Sequence, residues 1–273
     1  MKYLKLVFDF YLNASIHVAF SVFALLRITE IYFELPYNGN VNYFIFFGTI
    51  TGYNFVKYAG VAKLHHRSLT SDLKVIQVFS FFCFLALGFF AYQVSLKTLF
   101  VTVPFVLITI LYAVPFLSGF EKNLRGVSYL KIIVVAVVWA GFTVLIPLVD
   151  LDLEISLNSV LLMLQRFLIV VVLILPFDIR DVKYDAISLQ TIPLKIGIEK
   201  TKKLGLTLLV FSLILEYLFD SELMVKTPFM IFFFLLIMFL MRAKIDQSKY
   251  YSSFWVESLP IVWWLLLLGF HNF

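Results

Sequence analysis

Nine stretches of this chain approach the length that a helix needs to cross a bilayer, about 20 mostly apolar residues. They lie near 13–33, 42–62, 75–95, 98–118, 128–149, 159–178, 203–219, 227–243 and 252–270. In hydrocarbon every backbone polar group has to be satisfied within the chain, so runs of this length admit little besides helices. Composition agrees: 62% of the 273 residues are hydrophobic and only 14% charged, against about 25% charged in soluble domains. The expected class is therefore all-α and polytopic, with nine transmembrane helices in a single domain, 1–273. The first stretch carries Arg27 and Glu30, and the eighth is barely long enough.

Charge placement orients the expected spans. With nine of them, the N-terminal side receives Lys2, Lys5, Lys57, Lys63, Arg67, Lys74, Lys122, Arg125, Lys131, Arg180, Lys183, Lys195, Lys200, Lys202, Lys203, Arg242, Lys244 and Lys249. That is 18 of the 22 Lys and Arg. The other side receives Lys97 and Lys226, while Arg27 and Arg166 fall within spans. Cytoplasmic loops hold the excess of Lys and Arg, so the pattern predicts a cytoplasmic N-terminus and an uncleaved first span, as in a bacterial inner membrane. The net charge of +5 is explained by these loops and implies no nucleic acid partner. Cys83 is the sole cysteine, which excludes an internal disulfide.

The densest polar stretch follows the sixth apolar run, with Asp178, Arg180, Asp181, Lys183 and Asp185, then Thr191 and Pro193. Asp178, Asp181 and Asp185 are spaced i, i+3 and i+7, which puts them on one face if the helix continues. Oxygen-only ligands of this kind suit Mg²⁺, commonly held by carboxylates together with a substrate phosphate. The alternative is a solvated loop of mixed charge. Within the spans, Arg166 either reaches an anionic ligand in a central cavity or pairs with Glu30, Glu216 or Glu257; the pairing is the expectation. Arg27 and Glu30 are expected to pair with each other at i, i+3, and Glu216 and Glu257 are read as near the outer interface. The aromatic residues either line an isoprenoid tunnel or pack and face lipid, with Trp255, Trp263 and Trp264 fitting an interfacial belt.

With these residues placed, the chain resembles the UbiA superfamily of intramembrane prenyltransferases. The resemblance rests on Asp178 to Asp185, Thr191-Ile192-Pro193, Ile196-Gly197, Tyr112-Ala113-Val114-Pro115 and Lys131. It implies nine helices and two Asp-rich motifs, after the second and sixth, that face each other and grip a prenyl diphosphate through Mg²⁺. The first motif departs from the pattern. With Asn54 aligned on the motif's Asn, and Arg67-Ser68-Leu69 on its Arg-Pro-Leu, the three acids become Phe55, Tyr58 and Ala62. His65, His66 and Asp72 are the nearby substitutes, and Lys57, Lys63 and Arg67 are cations able to meet phosphate directly. The resemblance thus implies Asp178, Asp181 and Asp185 as metal ligands. Asn54, Lys57, Arg67, Arg180 and Lys183 fall to the diphosphate, and Tyr58, Tyr112, Lys131 and Arg166 become polar cavity residues.

Two readings follow from the resemblance. One is a prenyltransferase that moves a prenyl group from prenyl diphosphate to an aromatic or lipid acceptor taken from the bilayer, on a magnesium site assisted by lysines. The other is a protein of the same fold that binds an isoprenoid or lipid without turnover. A secondary transporter using Arg166 and the buried glutamates is a third reading, from a different class.

Overall fold

The fold is seen in a computed structural model that describes residues 2–64, 71–113, 130–183, 191–219 and 223–271. Among these residues there is no strand. The helices are α1 (Lys2–Asn13), α2 (Ile16–Tyr32), α3 (Gly39–Leu64), α4 (Ser71–Gln93), α5 (Leu96–Ala113), α6 (Leu130–Ala140), α7 (Ile146–Asp150), α8 (Leu157–Asp181), α9 (Ile192–Ile196), α10 (Ile198–Leu218), α11 (Leu223–Arg242) and α12 (Leu259–His271). A π turn at Gly141–Leu145 joins α6 to α7, and a second at Tyr251–Val256 precedes α12.

Each of the nine apolar stretches contains one of these helical segments, so the all-α expectation holds. By length and apolarity, six of the described helices are able to cross a membrane, and a seventh if the bent pair α1–α2 counts as one span. The two that fall short are polar for visible reasons. Asn40, Asn42, Thr49, Thr51 and Asn54 interrupt α3, and Glu199, Lys200, Lys202 and Lys203 fill the first turns of α10.

The core runs along α8, where Ile169, Val170, Val172 and Leu175 are almost fully buried in one cluster with Leu25, Leu26 and Ile28 of α2 and Phe229 and Phe232 of α11. By contrast, α4 and α5 bury only 11% and 17% of their apolar windows. Phe81, Phe82, Phe84, Phe89 and Phe100 project outward from them, the lipid-facing side of an integral membrane bundle. Trp263 departs from the belt expectation. It is fully buried, stacks on Phe232 at 4.6 Å and meets Phe229 edge-on at 5.4 Å. Only Trp255 stands exposed, at 55%.

Polar contacts separate the two ends of the bundle. At one end Asp150 accepts hydrogen bonds from Asn38 Nδ2 and Thr98 Oγ1, both at 2.8 Å, and Asp152 pairs with Lys97. At the other, Lys249 pairs with Asp9, Lys183 with Asp246, and Lys131 with Asp178. Within the bundle, Gly205 of α10 lets that helix approach its neighbours closely. A Cβ there would lie 2.6 Å from Leu240 and 2.9 Å from Leu175, both fully buried. Gly205→Ala should therefore cost about 1–3 kcal/mol through overpacking. Gly52→Ala, with nothing within 4 Å of the added carbon, should leave the melting temperature in lipid nanodiscs unchanged or higher. Equal melting temperatures for the two variants would contradict this packing.

Candidate functional site

The site is built where α8 ends, and it begins with a break elsewhere. Between α1 and α2 the chain bends by 55°, and Ser15 adopts a left-handed conformation, φ 62°, uncommon for a side chain other than Gly, Asn or Asp. A helix end inside a bundle leaves carbonyls without partners. Asn54 of α3 supplies one: its Nδ2 donates to Ala14 O at 3.0 Å and to Ser80 Oγ at 2.8 Å, while its Oδ1 accepts from Ser15 Oγ at 2.7 Å. Asn54 is 3% exposed. Both ends of its amide are thus engaged in joining α1–α2 to α3 and α4, a structural task where the resemblance implies a diphosphate ligand.

One turn further along α3, Lys57 Nζ and Tyr58 Oη both donate to Asn13 O, each at 3.0 Å. The Lys57 ammonium lies 5.5 Å from the Tyr58 ring centre. Across from them, α8 carries Asp178 and Asp181 one turn apart. Asp178 is buried, and its Oδ1 accepts from Lys131 Nζ of α6 at 3.1 Å. Asp181 receives a two-point contact from its neighbour, Arg180 Nε to Oδ1 at 2.7 Å and Nη2 to Oδ2 at 3.1 Å. The Arg180 guanidinium also lies 5.4 Å from the Phe177 ring centre. Lys183 reaches Asp246 at 3.1 Å, and Tyr112 is buried near Lys131. Beside this cluster a cleft of about 280 Å³ is lined by Arg242, Lys244, Gln247, Ser248 and Tyr251. Asp185, Arg67, His65 and His66 lie outside the described residues, as do the side chains of Lys63 and Asp72.

Arg166 lies in the neighbourhood of a buried glutamate, as the pairing expectation has it, and Glu257 lies elsewhere than expected. Arg166 precedes Asp178 by twelve positions on α8, about 18 Å of helix, and belongs to a separate buried cluster. Its Nη2 donates to Thr29 Oγ1 at 3.4 Å and its guanidinium sits 5.1 Å from the Trp263 ring centre. Glu216 is the acid in its neighbourhood, held by Tyr32 Oη at 2.8 Å and Gln165 Nε2 at 2.7 Å. Arg27 pairs with Glu30, as the i, i+3 spacing predicts. Glu257, read as near the outer interface, instead follows the second π turn at the Asp178 end. Lys57 and Arg180 are the cations that act on it, and Tyr11 and Tyr53 are close by. Tracing the alternation of spans through to the last one places its start at this end, a signal that hydropathy alone does not carry.

Of the three magnesium ligands that the resemblance implies, Asp178 and Asp181 lie one turn apart at the end of α8 and Asp185 lies outside the described residues. Among the described side chains no three His, Cys, Asp or Glu groups come together. On α3, Phe55 and Tyr58 stand where the implied pattern has acids, and Asp178 and Asp181 each pair with a protein cation.

No sequence model of a protein family matches the chain, and no curated protein matches it. Solved structures do. A UbiA homolog from Archaeoglobus fulgidus bound to GPP and Mg²⁺ superposes with a TM-score of 0.60 over 97% of this chain and 100% of its own, at 14% identity. The chain therefore shares the fold of this UbiA homolog. The same homolog bound to DMAPP and Mg²⁺ gives 0.58 over 96% of this chain and 99% of its own, again at 14% identity. A digeranylgeranylglyceryl phosphate synthase gives 0.57 at 18% identity, over 99% of this chain and 98% of its own.

The Asn54 node generates a stability prediction. Asn54→Ala leaves the Ala14 carbonyl and the Ser15 hydroxyl without their partner and should cost about 1–3 kcal/mol. Ser80→Ala, which removes one of the Asn54 contacts and keeps the other two, should lower the melting temperature less. Equal losses would contradict the assignment of Asn54 as the node.

Proposed function

We propose that this chain is a UbiA-like prenyltransferase that binds prenyl diphosphate at the α3–α8 end of the bundle and hands the prenyl group to an aromatic or lipid acceptor from the bilayer. The observation that carries the reading is the match along nearly the whole chain to a fold solved with GPP and with DMAPP, combined with cations from three helices at the end of α8. In this reading all nine helical segments span a bacterial inner membrane as one domain, 1–273, with the N-terminus and the site on the cytoplasmic side. The concentration of Lys and Arg at that end supports the orientation.

The chemistry follows from charge. Breaking the bond between the allylic carbon and oxygen sends a pair of electrons to the diphosphate, and fixed cations already aimed at that oxygen lower the barrier. Lys57, Lys131 and Arg180 serve this role. The carbon left behind bonds to the acceptor's nucleophilic atom, which then releases its proton. Arg180 has the most suitable group, because a guanidinium offers planar two-point recognition of phosphate. Tyr58 and Tyr112 present aromatic surface near the headgroup.

A specific observation favours a second reading, a lipid-diphosphate binder without turnover: the acids at Phe55, Tyr58 and Ala62 are missing and the two described α8 acids are occupied by cations. Radiolabelled prenyl diphosphates, incubated with the protein in nanodiscs and a membrane lipid extract, separate the two. The transferase reading predicts pyrophosphate release and label in the lipid fraction, both falling about a hundredfold in Arg180→Gln. Binding without release would establish the silent binder, and neither binding nor release would sink both.

A further inference from the structure

Several cations at the α8 end of the bundle are matched by acids: Lys131 by Asp178, Arg180 by Asp181, Lys183 by Asp246 and Lys249 by Asp9. Arg242 and Lys244 differ. Neither forms an ion pair with a described residue, and both line the cleft of about 280 Å³ at the connection between α11 and α12. Asp246, the acid within that connection, is the one that Lys183 holds. The remaining lining is fixed in place. Tyr251 Oη donates to Phe239 O at 2.7 Å, and the two rings lie 5.6 Å apart. Gln247 Nε2 donates to Pro176 O at 3.0 Å and to Ser252 Oγ at 2.5 Å. Ser248 is exposed and adds a hydroxyl. The cleft thus carries two positive charges, no carboxylate in its lining, and a size near the lower end of small-molecule sites, about 300 Å³.

An apolar path leads to the cleft along α11. Ile231, Phe234 and Met238 are 38%, 60% and 40% exposed, and steps of three and four residues put them on one face with Arg242. The opposite face, with Phe229, Phe232, Leu236 and Leu240, is buried. From Ile231 to Arg242 is about 16 Å of helix, roughly half of a hydrocarbon core of about 30 Å. The part of α11 able to cross a membrane ends at Arg242, so its guanidinium stands where hydrocarbon gives way to headgroups. We infer that the cleft holds the anionic headgroup of a bilayer phospholipid, its phosphate on Arg242 and Lys244 and an acyl chain along Ile231, Phe234 and Met238. Guanidinium and ammonium groups make charge-assisted hydrogen bonds to phosphate, and basic pockets beside membrane helices recognise anionic headgroups. A free phosphate would meet the same cations but make no use of the exposed stripe that runs into them. This site is separate from the prenyl diphosphate site proposed between α3 and α8, and it stands whether or not that reading does.

Native mass spectrometry of the full chain, titrated with dioleoylphosphatidylglycerol and separately with dioleoylphosphatidylcholine, tests this. The expected result is a phosphatidylglycerol held about tenfold more tightly than phosphatidylcholine. Arg242→Gln/Lys244→Gln should bring the two lipids to within about twofold of each other, with the melting temperature unchanged because both side chains are exposed. Lys244→Gln alone should reduce the preference about threefold, which keeps the test decisive if the double variant does not fold. Lys249→Gln, whose cation already has Asp9, should keep the preference. Equal binding of the two lipids by the wild type, or a preference that survives in the folded variants, would overturn the site. Displacement of the phosphatidylglycerol by inorganic phosphate or by geranyl diphosphate at equal concentration would overturn its assignment to a phospholipid.

Discussion

A helix that breaks inside a lipid bilayer has to find partners for the backbone groups it opens, because hydrocarbon offers none. The break between α1 and α2 meets that demand with a single side chain. Asn54 reaches from α3 to the Ala14 carbonyl and the Ser15 hydroxyl, and a third contact to Ser80 draws in α4. Four helices therefore meet at one buried amide. The bend also turns the last carbonyl of α1, at Asn13, toward α3, where Lys57 and Tyr58 donate to it. The position of the Lys57 ammonium follows from a backbone that would otherwise be unsatisfied.

The opposite wall has a different origin. There α8 runs through the centre of the bundle and ends at Asp181, which brings two acids and an arginine to its final turn. Pro176 lies one turn earlier, and its carbonyl accepts from Gln247 at 3.0 Å, tying the connection between α11 and α12 to this helix end. The second π turn follows at once and delivers Glu257. π turns insert a residue into a helix and redirect the side chains that follow. Apolar packing accounts for the helices, and the irregular points among them determine which charges meet.

Much of this was legible in the sequence and some was not. The nine apolar stretches were readable because burial in lipid demands length and apolarity, and each coincides with a helical segment. The end of α8 was readable as a polar site from the spacing of Asp178 and Asp181. The α1–α2 bend had no signal, since neither Gly nor Pro marks it and Ser15 adopts its conformation only because Asn54 rewards it. Glu257 was read at a depth that side-chain chemistry does not encode. Trp263 illustrates the same limit: an indole suits an interface and a core equally well, and here Phe229 and Phe232 claim it. Asn54 was read by analogy as a ligand, whereas its hydrogen bonds give it a structural role.

The central claim is that a diphosphate headgroup is held between α3 and α8 by protein cations. An experimentally determined structure of the chain in nanodiscs, with a non-hydrolysable geranyl diphosphate analogue, tests it most directly. The account predicts the headgroup within hydrogen-bonding distance of Lys57, Lys131 and Arg180, with its prenyl tail running into the bundle. The analogue's headgroup in the cleft lined by Arg242, Lys244 and Gln247 would contradict it.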